Sequence, residues 1–311
     1  MLGLFNTILT LSRISNLPTV WTNCLAAWAI NHSTNKIVGQ TPAWHDPSIL
    51  EWGQLGWLLL GGSLAYSGGC ILNDAFDQKF DQEFNPNRPI PSGKIKITTV
   101  WSLGLGSLIV GGIVLTFGAL CSLIWTVALI SSILLYDAFH KEWKGSVWVM
   151  GACRMFLWLT AGTAGQCDTL GLPLVIGSIS LGGYVAGISL FARNESISRN
   201  SSRPSRLGIS LLFSPCLIIL GLLVAWNHLD PSRIFLANCS GLYLGWIIFE
   251  SVLLMRKRGG NNQISQGVSM LLAGICLFDA LALALFMPSL MAPCYLAQLF
   301  AKILQKKFAA T

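Results

Sequence analysis

The eighteen residues from Leu55 to Leu72 carry no charge, and the chain then sets Asp74, Asp77 and Asp81 into the next nine positions. A run of that length crosses a bilayer with ~30 Å of hydrocarbon, and carboxylates at its end are costly unless something uses them. At ~100° per residue the three aspartates fall within about one third of a helix circumference. Three like charges on one face repel, and a hard divalent cation relieves the repulsion. Mg²⁺ suits best, because it takes a few carboxylates and keeps positions for phosphate oxygens and water. An acidic, merely solvated helix end is the alternative. The turn that follows, Asn85-Pro86-Asn87-Arg88-Pro89-Ile90-Pro91-Ser92-Gly93-Lys94 with Lys96 behind it, is basic. That favours a site for Mg²⁺ plus a diphosphate.

The string NDAFDQKFDQEFNPNRPIPSGKI resembles the first signature of the UbiA superfamily of intramembrane prenyltransferases, an Asn-Asp-x-x-Asp-x-x-x-Asp helix end followed by an Arg-Pro-x-Pro-x-Gly turn. Asn73, Asp74, Asp77, Asp81, Arg88, Pro89, Pro91 and Gly93 all stand in place. The resemblance implies an all-α, polytopic membrane bundle of about nine helices around a central cavity, formed by residues 1–311 as one domain. It also implies Mg²⁺ on the aspartates, Asn73 in support, and Arg88 and Lys94 on the diphosphate of a prenyl donor.

Composition agrees with a membrane class. Apolar residues make up 53% of the chain and charged residues 11%, against roughly a quarter charged in soluble domains; mean hydropathy is +0.62. The formal charge of +7 then reads as topology and anion binding, since no basic-aromatic module for nucleic acid accompanies it. Nine cysteines are scattered singly, with no Cys-x-x-Cys pair, and read as small apolar packers. The N-terminus has no basic region and no small-residue cleavage site, so it does not read as a signal peptide.

Apolar periodicity places spans at about 14–30, 55–72, 98–118, 120–136, 147–165, 172–191, 207–226, 234–255 and 266–287. The third and fourth are divided only at Gly118-Ala119. With the N-terminus in the cytoplasm, fourteen Lys and Arg fall in cytoplasmic connections and five outside, with Arg154 inside a span. That bias puts the aspartates at the cytoplasmic face. Residues 288–311, with Leu299, Phe300, Ile303, Leu304 and Phe308 opposite Lys302, Lys306 and Lys307, read as an amphipathic tail along the interface.

Other connections supply candidates. Between spans four and five, the resemblance places a Tyr and cations that hold the donor diphosphate, here Tyr136, His140 and Lys141; Asp137 is an unusual addition, an extra metal or acceptor contact. An ordinary charged turn is the alternative. Arg154 faces the diphosphate side of a cavity or else snorkels to the interface. At the end of the sixth span the superfamily carries a second aspartate motif. This chain has Arg193, Asn194 and Glu195 instead, so that either Asn194 and Glu195 hold a second Mg²⁺ with Arg193 on phosphate, or one metal and added cations suffice. In the family the first helix lines the cavity with polar residues, which implies Asn16 and Asn23 here; a helix-cap role for Ser15 or Asn16 before Pro18 is the alternative. Glu250 and Asp279 are intramembrane acids without an assignment, and Gly183-x-x-x-Gly187 and Gly241-x-x-x-Gly245 read as close helix packing.

The functional expectation is a Mg²⁺-dependent enzyme that transfers a prenyl group from a prenyl diphosphate to a small aromatic or lipid-like acceptor within the bilayer. The alternative, raised by the altered second motif, is a non-catalytic carrier or assembly component that keeps the fold and binds an isoprenoid.

Overall fold

The computed structural model describes residues 2–35, 37–38, 41–42, 51–197, 206–216, 230–256 and 261–308. Helix α1 (Leu2–Leu11) leads through a 3-10 turn (Ile14–Asn16) into α2 (Leu17–Asn35). A two-residue antiparallel ladder pairs Ile37 with Pro42 and Val38 with Thr41. Then come α3 (Trp52–Phe76), α4 (Gln78–Phe84), α5 (Ile97–Ile113) and α6 (Leu123–Phe139). They are followed by α7 (Ser146–Gly162), α8 (Leu172–Ile197), α9 (Arg206–Leu212), α10 (Pro231–Arg256), α11 (Asn261–Phe286) and α12 (Met291–Lys307). The architecture is all-α and polytopic. Among the described residues five helices are long and apolar enough to cross a membrane, and α6 is a shorter apolar helix. The second half of the expected seventh span, 217–226, lies outside the described residues.

The division at Gly118-Ala119 is real. After α5 a π-helical turn (Val114–Gly118) widens the backbone, and Leu120 takes φ 53°, a left-handed value uncommon for a branched side chain. The turn is tied to the far end of α7, where Gly165 N donates to Ala119 O at 2.9 Å and Ser122 N to Thr163 Oγ1 at 3.0 Å. Two tight hairpins thus share one set of hydrogen bonds at one end of the bundle.

Small residues set the helix spacing, as expected where lipid removes most of the hydrophobic drive between helices. A Cβ on Gly68 would stand 2.9 Å from both Gly104 O and Leu108 N, so α3 and α5 touch backbone to backbone. Gly187 does the same against Gly208 O, joining α8 to α9. The Gly183–Gly187 reading therefore holds, whereas Gly245 meets nothing within 4 Å.

The C-terminal helix has a setting different from the interfacial one read from the sequence. Tyr295 Oη lies 2.8 Å from Ser240 Oγ, and Gln298 Nε2 lies 3.4 Å from Tyr243 Oη. Both numbers rise together, so α12 runs parallel to α10 and antiparallel to α11. It also packs on α2 and on the 3-10 turn beside Arg13. Its small and polar side (Cys294, Gln298, Ala301) is buried, and Leu296, Leu299, Phe300 and Ile303 face outward. An apolar outward face is the pattern a lipid surround requires. At 1.5 Å per residue the helix is about 25 Å long, which carries Lys306 and Lys307 to the end of the bundle that holds Arg13.

Candidate active site

The aspartates are positioned by one nearly continuous helix. Asp77 caps α3 and starts α4 with φ −77° and ψ 0°, yet the i→i−4 hydrogen bonds pass through it. Asp77 N donates to Asn73 O at 3.0 Å, Asp81 N to Asp77 O at 2.9 Å and Asn85 N to Asp81 O at 2.9 Å. Asn73, Asp77, Asp81 and Asn85 therefore stack on one face, and Asp74 stands one position round. Asp77 and Asp81 are buried, at 5% and 2% exposure.

The turn behind α4 returns a cation to this face. Ser92 N bonds Arg88 O at 3.0 Å, Lys94 N bonds Pro89 O at 3.0 Å, and Gly93 takes φ 73°, a conformation open to glycine at little cost. Ile90 and Ile95 anchor the loop in a small apolar cluster with Leu11, Ile71 and Val100. Arg88 Nη1 is thereby aimed inward and donates to Asp74 Oδ1 at 3.2 Å and to Asp81 Oδ2 at 2.9 Å. Asn85 Nδ2 donates to the other Asp81 oxygen at 2.9 Å.

A second helix end meets the first. From the close of α6, Lys141 Nζ reaches Asp77 Oδ2 at 3.2 Å and His140 Nε2 reaches Asp77 Oδ1 at 3.3 Å. Tyr136 stacks on His140 at 5.0 Å between ring centroids, and Lys141 Nζ lies 3.7 Å from the Phe80 ring centre. Burial alone would raise the Asp77 carboxyl, but the His140 hydrogen bond and the charges of His140 and Lys141 outweigh it and hold Asp77 below the ordinary range. Asp137, on the last turn of α6, is 4% exposed and accepts from Asn73 Nδ2 at 3.1 Å. Asn73 Oδ1 in turn accepts from Arg13 Nη2 at 3.2 Å, and the same nitrogen lies 4.0 Å from Asp74 Oδ1. Arg13 and Asn85 are the residues that sequence reasoning left unassigned. Asn85 was findable as the next i+4 position of the stack, whereas Arg13 depends on a left-handed backbone, φ 46° and ψ 51°, that no local pattern announces.

The remaining candidates are placed as follows. Arg193, at the end of α8, donates to Trp143 O at 2.9 Å and Ser146 Oγ at 3.2 Å, bracing the α6–α7 connection that carries Lys141. Lys94 is exposed. Asn194 and Glu195 are on α8, with side chains outside the described residues. Asn16 is buried at the start of α2, its carbonyl accepting from Thr19 Oγ1 at 2.7 Å. Arg154 and Asn23 do not join the aspartates through any hydrogen bond among the described residues. Arg154 Nη1 donates to Asn23 Oδ1 at 2.9 Å and Nη2 to Thr19 Oγ1 at 3.0 Å, while Asn23 Nδ2 bonds both Asp279 oxygens at 2.9 and 2.8 Å. Arg154 thus faces the bundle interior rather than the interface, and its counter-charge is the intramembrane Asp279. Glu250 is on the exposed face of α10.

The donor set, carboxylate and amide oxygen throughout, is chemically suited to Mg²⁺. Among the described residues no three His, Cys, Asp or Glu side chains converge as a metal-holding group; Arg88 and Lys141 stand on the carboxylates instead. Both cations are partly open to solvent: the Arg88 and Lys141 side chains are 35% and 40% exposed.

The profile of the UbiA prenyltransferase family matches residues 37–275. The chain belongs to the UbiA family. Among UbiA relatives, a digeranylgeranylglyceryl phosphate synthase of Methanococcus aeolicus is 33% identical over 125 residues, 39% of this chain and 40% of that protein. A 4-hydroxybenzoate octaprenyltransferase of Polaromonas sp. is 28% identical over 139 residues, 43% of each chain. These matches span about two fifths of each relative's length. Solved UbiA structures share the fold over far more. That of a digeranylgeranylglyceryl phosphate synthase covers 92% of this chain and 98% of its own, with a TM-score of 0.59 at 19% identity. A UbiA homologue from Archaeoglobus fulgidus bound to GPP and Mg²⁺ covers 89% and 99%, with a TM-score of 0.54 at 13% identity.

Proposed function

We propose that the chain is an intramembrane transferase that moves a prenyl group from a prenyl diphosphate to a small aromatic or lipid-like acceptor and releases diphosphate. One observation carries the reading: carboxylates from α3–α4 and cations from the next turn and the end of α6 interleave at one end of the bundle, with Asp77 held by Lys141 and His140 and Asp74 and Asp81 by Arg88. Such alternation is what a metal–diphosphate complex needs on its perimeter. The named activities of the relatives and the GPP and Mg²⁺ in a structural neighbour support it.

In the reaction the allylic C–O bond breaks, its electron pair leaves with the diphosphate, and the acceptor supplies the pair for the new bond while losing a proton. Mg²⁺, when bound, neutralises the charge that collects on the leaving oxygens. Asp74, Asp77 and Asp81 would hold it. Arg88 and Lys141, released from their carboxylates, bind the outer phosphate oxygens, joined by Lys94 from its exposed position; Arg13 and Asn73 steady the inner edge. Tyr136, stacked on His140, walls the site where the prenyl carbon would lie. Asn194 and Glu195 are by sequence candidate ligands of a second metal, with Arg193 as a candidate phosphate contact. The α3, α5 and α6 surfaces keep water from the allylic cation. The Lys and Arg bias favours a cytoplasmic location for this end, the side from which a soluble donor arrives.

The test is purified protein in detergent with labelled geranylgeranyl diphosphate, Mg²⁺ and candidate acceptors. Turnover that vanishes in Asp77→Ala supports the reading; diphosphate binding without Mg²⁺, unchanged by Asp77→Ala, overturns it. The second reading, a non-catalytic isoprenoid carrier, is favoured by the carboxylates being charge-paired already and by Arg193-Asn194-Glu195 standing where a second aspartate pair is expected. Wild-type protein that binds donor and never releases diphosphate would establish it.

A further inference from the structure

Asp137 is the anomaly of the site. It is 96% buried, its Oδ1 is taken by Asn73 Nδ2, and its Oδ2 has no hydrogen-bond partner. A buried polar atom without a partner is uncommon and calls for a cause. The surroundings sharpen the question. Asp74 and Asp81 share Arg88, and Asp77 holds Lys141. Asp137 alone of these four carboxylates has no cation on its oxygens among the described residues; Arg13 reaches it only through Asn73. It nevertheless lies within electrostatic range of Asp74, Asp77 and Arg13, and Asn73 ties it to the helix that carries the first two aspartates.

We infer that Asp137 is a further metal-binding residue of this site, contributing from the α6 wall a carboxylate oxygen to the divalent cation that carries the diphosphate. The inference rests on the proposed function and extends it to the missing ligand. The end of α8 offers Asn194 and Glu195, one carboxylate at most, next to the positive Arg193. A fourth aspartate facing the first motif restores the acidic count from a different helix. Asn73 is the hinge of this arrangement: its amide nitrogen fixes one Asp137 oxygen and leaves the other open to a ligand, while its carbonyl oxygen keeps Arg13 on the Asp74 side. A hard dication is the ligand class that fits an open carboxylate oxygen in an all-oxygen setting. The sequence signal is the one departure from an otherwise apolar helix end, Leu135-Tyr136-Asp137-Ala138-Phe139.

The test is Mn²⁺ binding to the full chain in detergent, followed by electron paramagnetic resonance with and without geranyl S-thiolodiphosphate, an uncleavable donor analogue. Asp137→Asn keeps the shape and can still accept from Asn73, so it should fold and melt at least as high as wild type. Its Mn²⁺ affinity should fall by about tenfold or more, and Asp137→Glu, which restores the charge, should recover most of it. Mn²⁺ affinity equal to wild type in Asp137→Asn, with Asp77→Asn weakened, overturns this inference and leaves the proposed function standing. Wild-type protein that binds no Mn²⁺ with the analogue present overturns both. Should Asp137→Asn fail to fold, Asp137→Ser, smaller and equally uncharged, replaces it with the same expected loss.

Discussion

Lys141 Nζ stands 3.2 Å from Asp77 Oδ2, although the two residues lie on different helix ends and 64 positions apart in the chain. The pair closes the open edge of the aspartate face, and with His140 on the other Asp77 oxygen it fixes how α6 ends against α4. Removing either partner acts on both the site and the packing.

The Asp77 carboxyl is held low because His140 and Lys141 outweigh burial. An acid so depressed contributes stability above its unfolded value, near 3.9, and loses it as pH falls through the lower folded value. Wild type should therefore melt higher than Asp77→Asn at pH 6 to 7 by the same margin, and that margin should close below about pH 4. Intrinsic tryptophan fluorescence during thermal unfolding in detergent reads both proteins. A margin that stays constant down to pH 3 would show that Asp77 is not ion-paired in the folded state.

Arg88 holds two carboxylates seven residues apart through one nitrogen. Arg88→Ala should lower kcat/KM by about a hundredfold or more, as loss of a charge-stabilising donor does. Arg88→Lys keeps the charge and should recover part of this, falling short because the ammonium is a compact, strongly hydrated point charge on a different stem. Steady-state kinetics with a labelled prenyl diphosphate checks both variants, and wild-type kinetics in Arg88→Ala would remove Arg88 from the site.

Arg154, Asn23 and Asp279 form a buried charged network across α7, α2 and α11. Asn23→Ala removes the bridge between the two charges while Arg154 keeps Thr19 Oγ1, and should destabilise by about 1 to 3 kcal/mol, the cost of leaving buried polar groups without their partner. The double replacement Arg154→Met with Asp279→Leu removes both charges and should lie closer to wild type than either single change. A double-mutant cycle on thermal or SDS unfolding measures the coupling. Additive single effects would mean that the two charges do not sense each other.

The direction of α12 adds Lys302, Lys306 and Lys307 to the end of the bundle that carries Arg13 and the aspartates. The proposed cytoplasmic placement of that end then rests on seventeen Lys and Arg against two. In a cysteine-free background, a membrane-impermeant maleimide on intact cells should miss Ser92→Cys and Lys306→Cys and label Asp168→Cys, an exposed position at the opposite end. Labelling of Lys306→Cys together with Asp168→Cys would reverse the course of α12. Labelling of both Ser92→Cys and Lys306→Cys, with Asp168→Cys missed, would reverse the whole topology.

The sequence by itself determined the parts that depend on neighbours a few positions away. Apolar runs of membrane length, the break at Gly118-Ala119, and the stacking of Asp77 and Asp81 on one helix face all follow from local periodicity. Tertiary structure alone decided which distant groups neutralise one another. Asp77 takes Lys141 from α6, Asn73 takes Arg13 and Asp137, and Arg154 finds Asp279 through Asn23, pairings separated by 60 to 256 residues. A charge within a bilayer must find a partner, but many charges in the chain meet that demand equally well on paper. Only the register of helices brought together at glycine contacts such as Gly68–Gly104 selects among them. The same holds for α12, whose alternating pattern suits an interface or a bundle edge alike until Tyr295 and Gln298 are seen against α10.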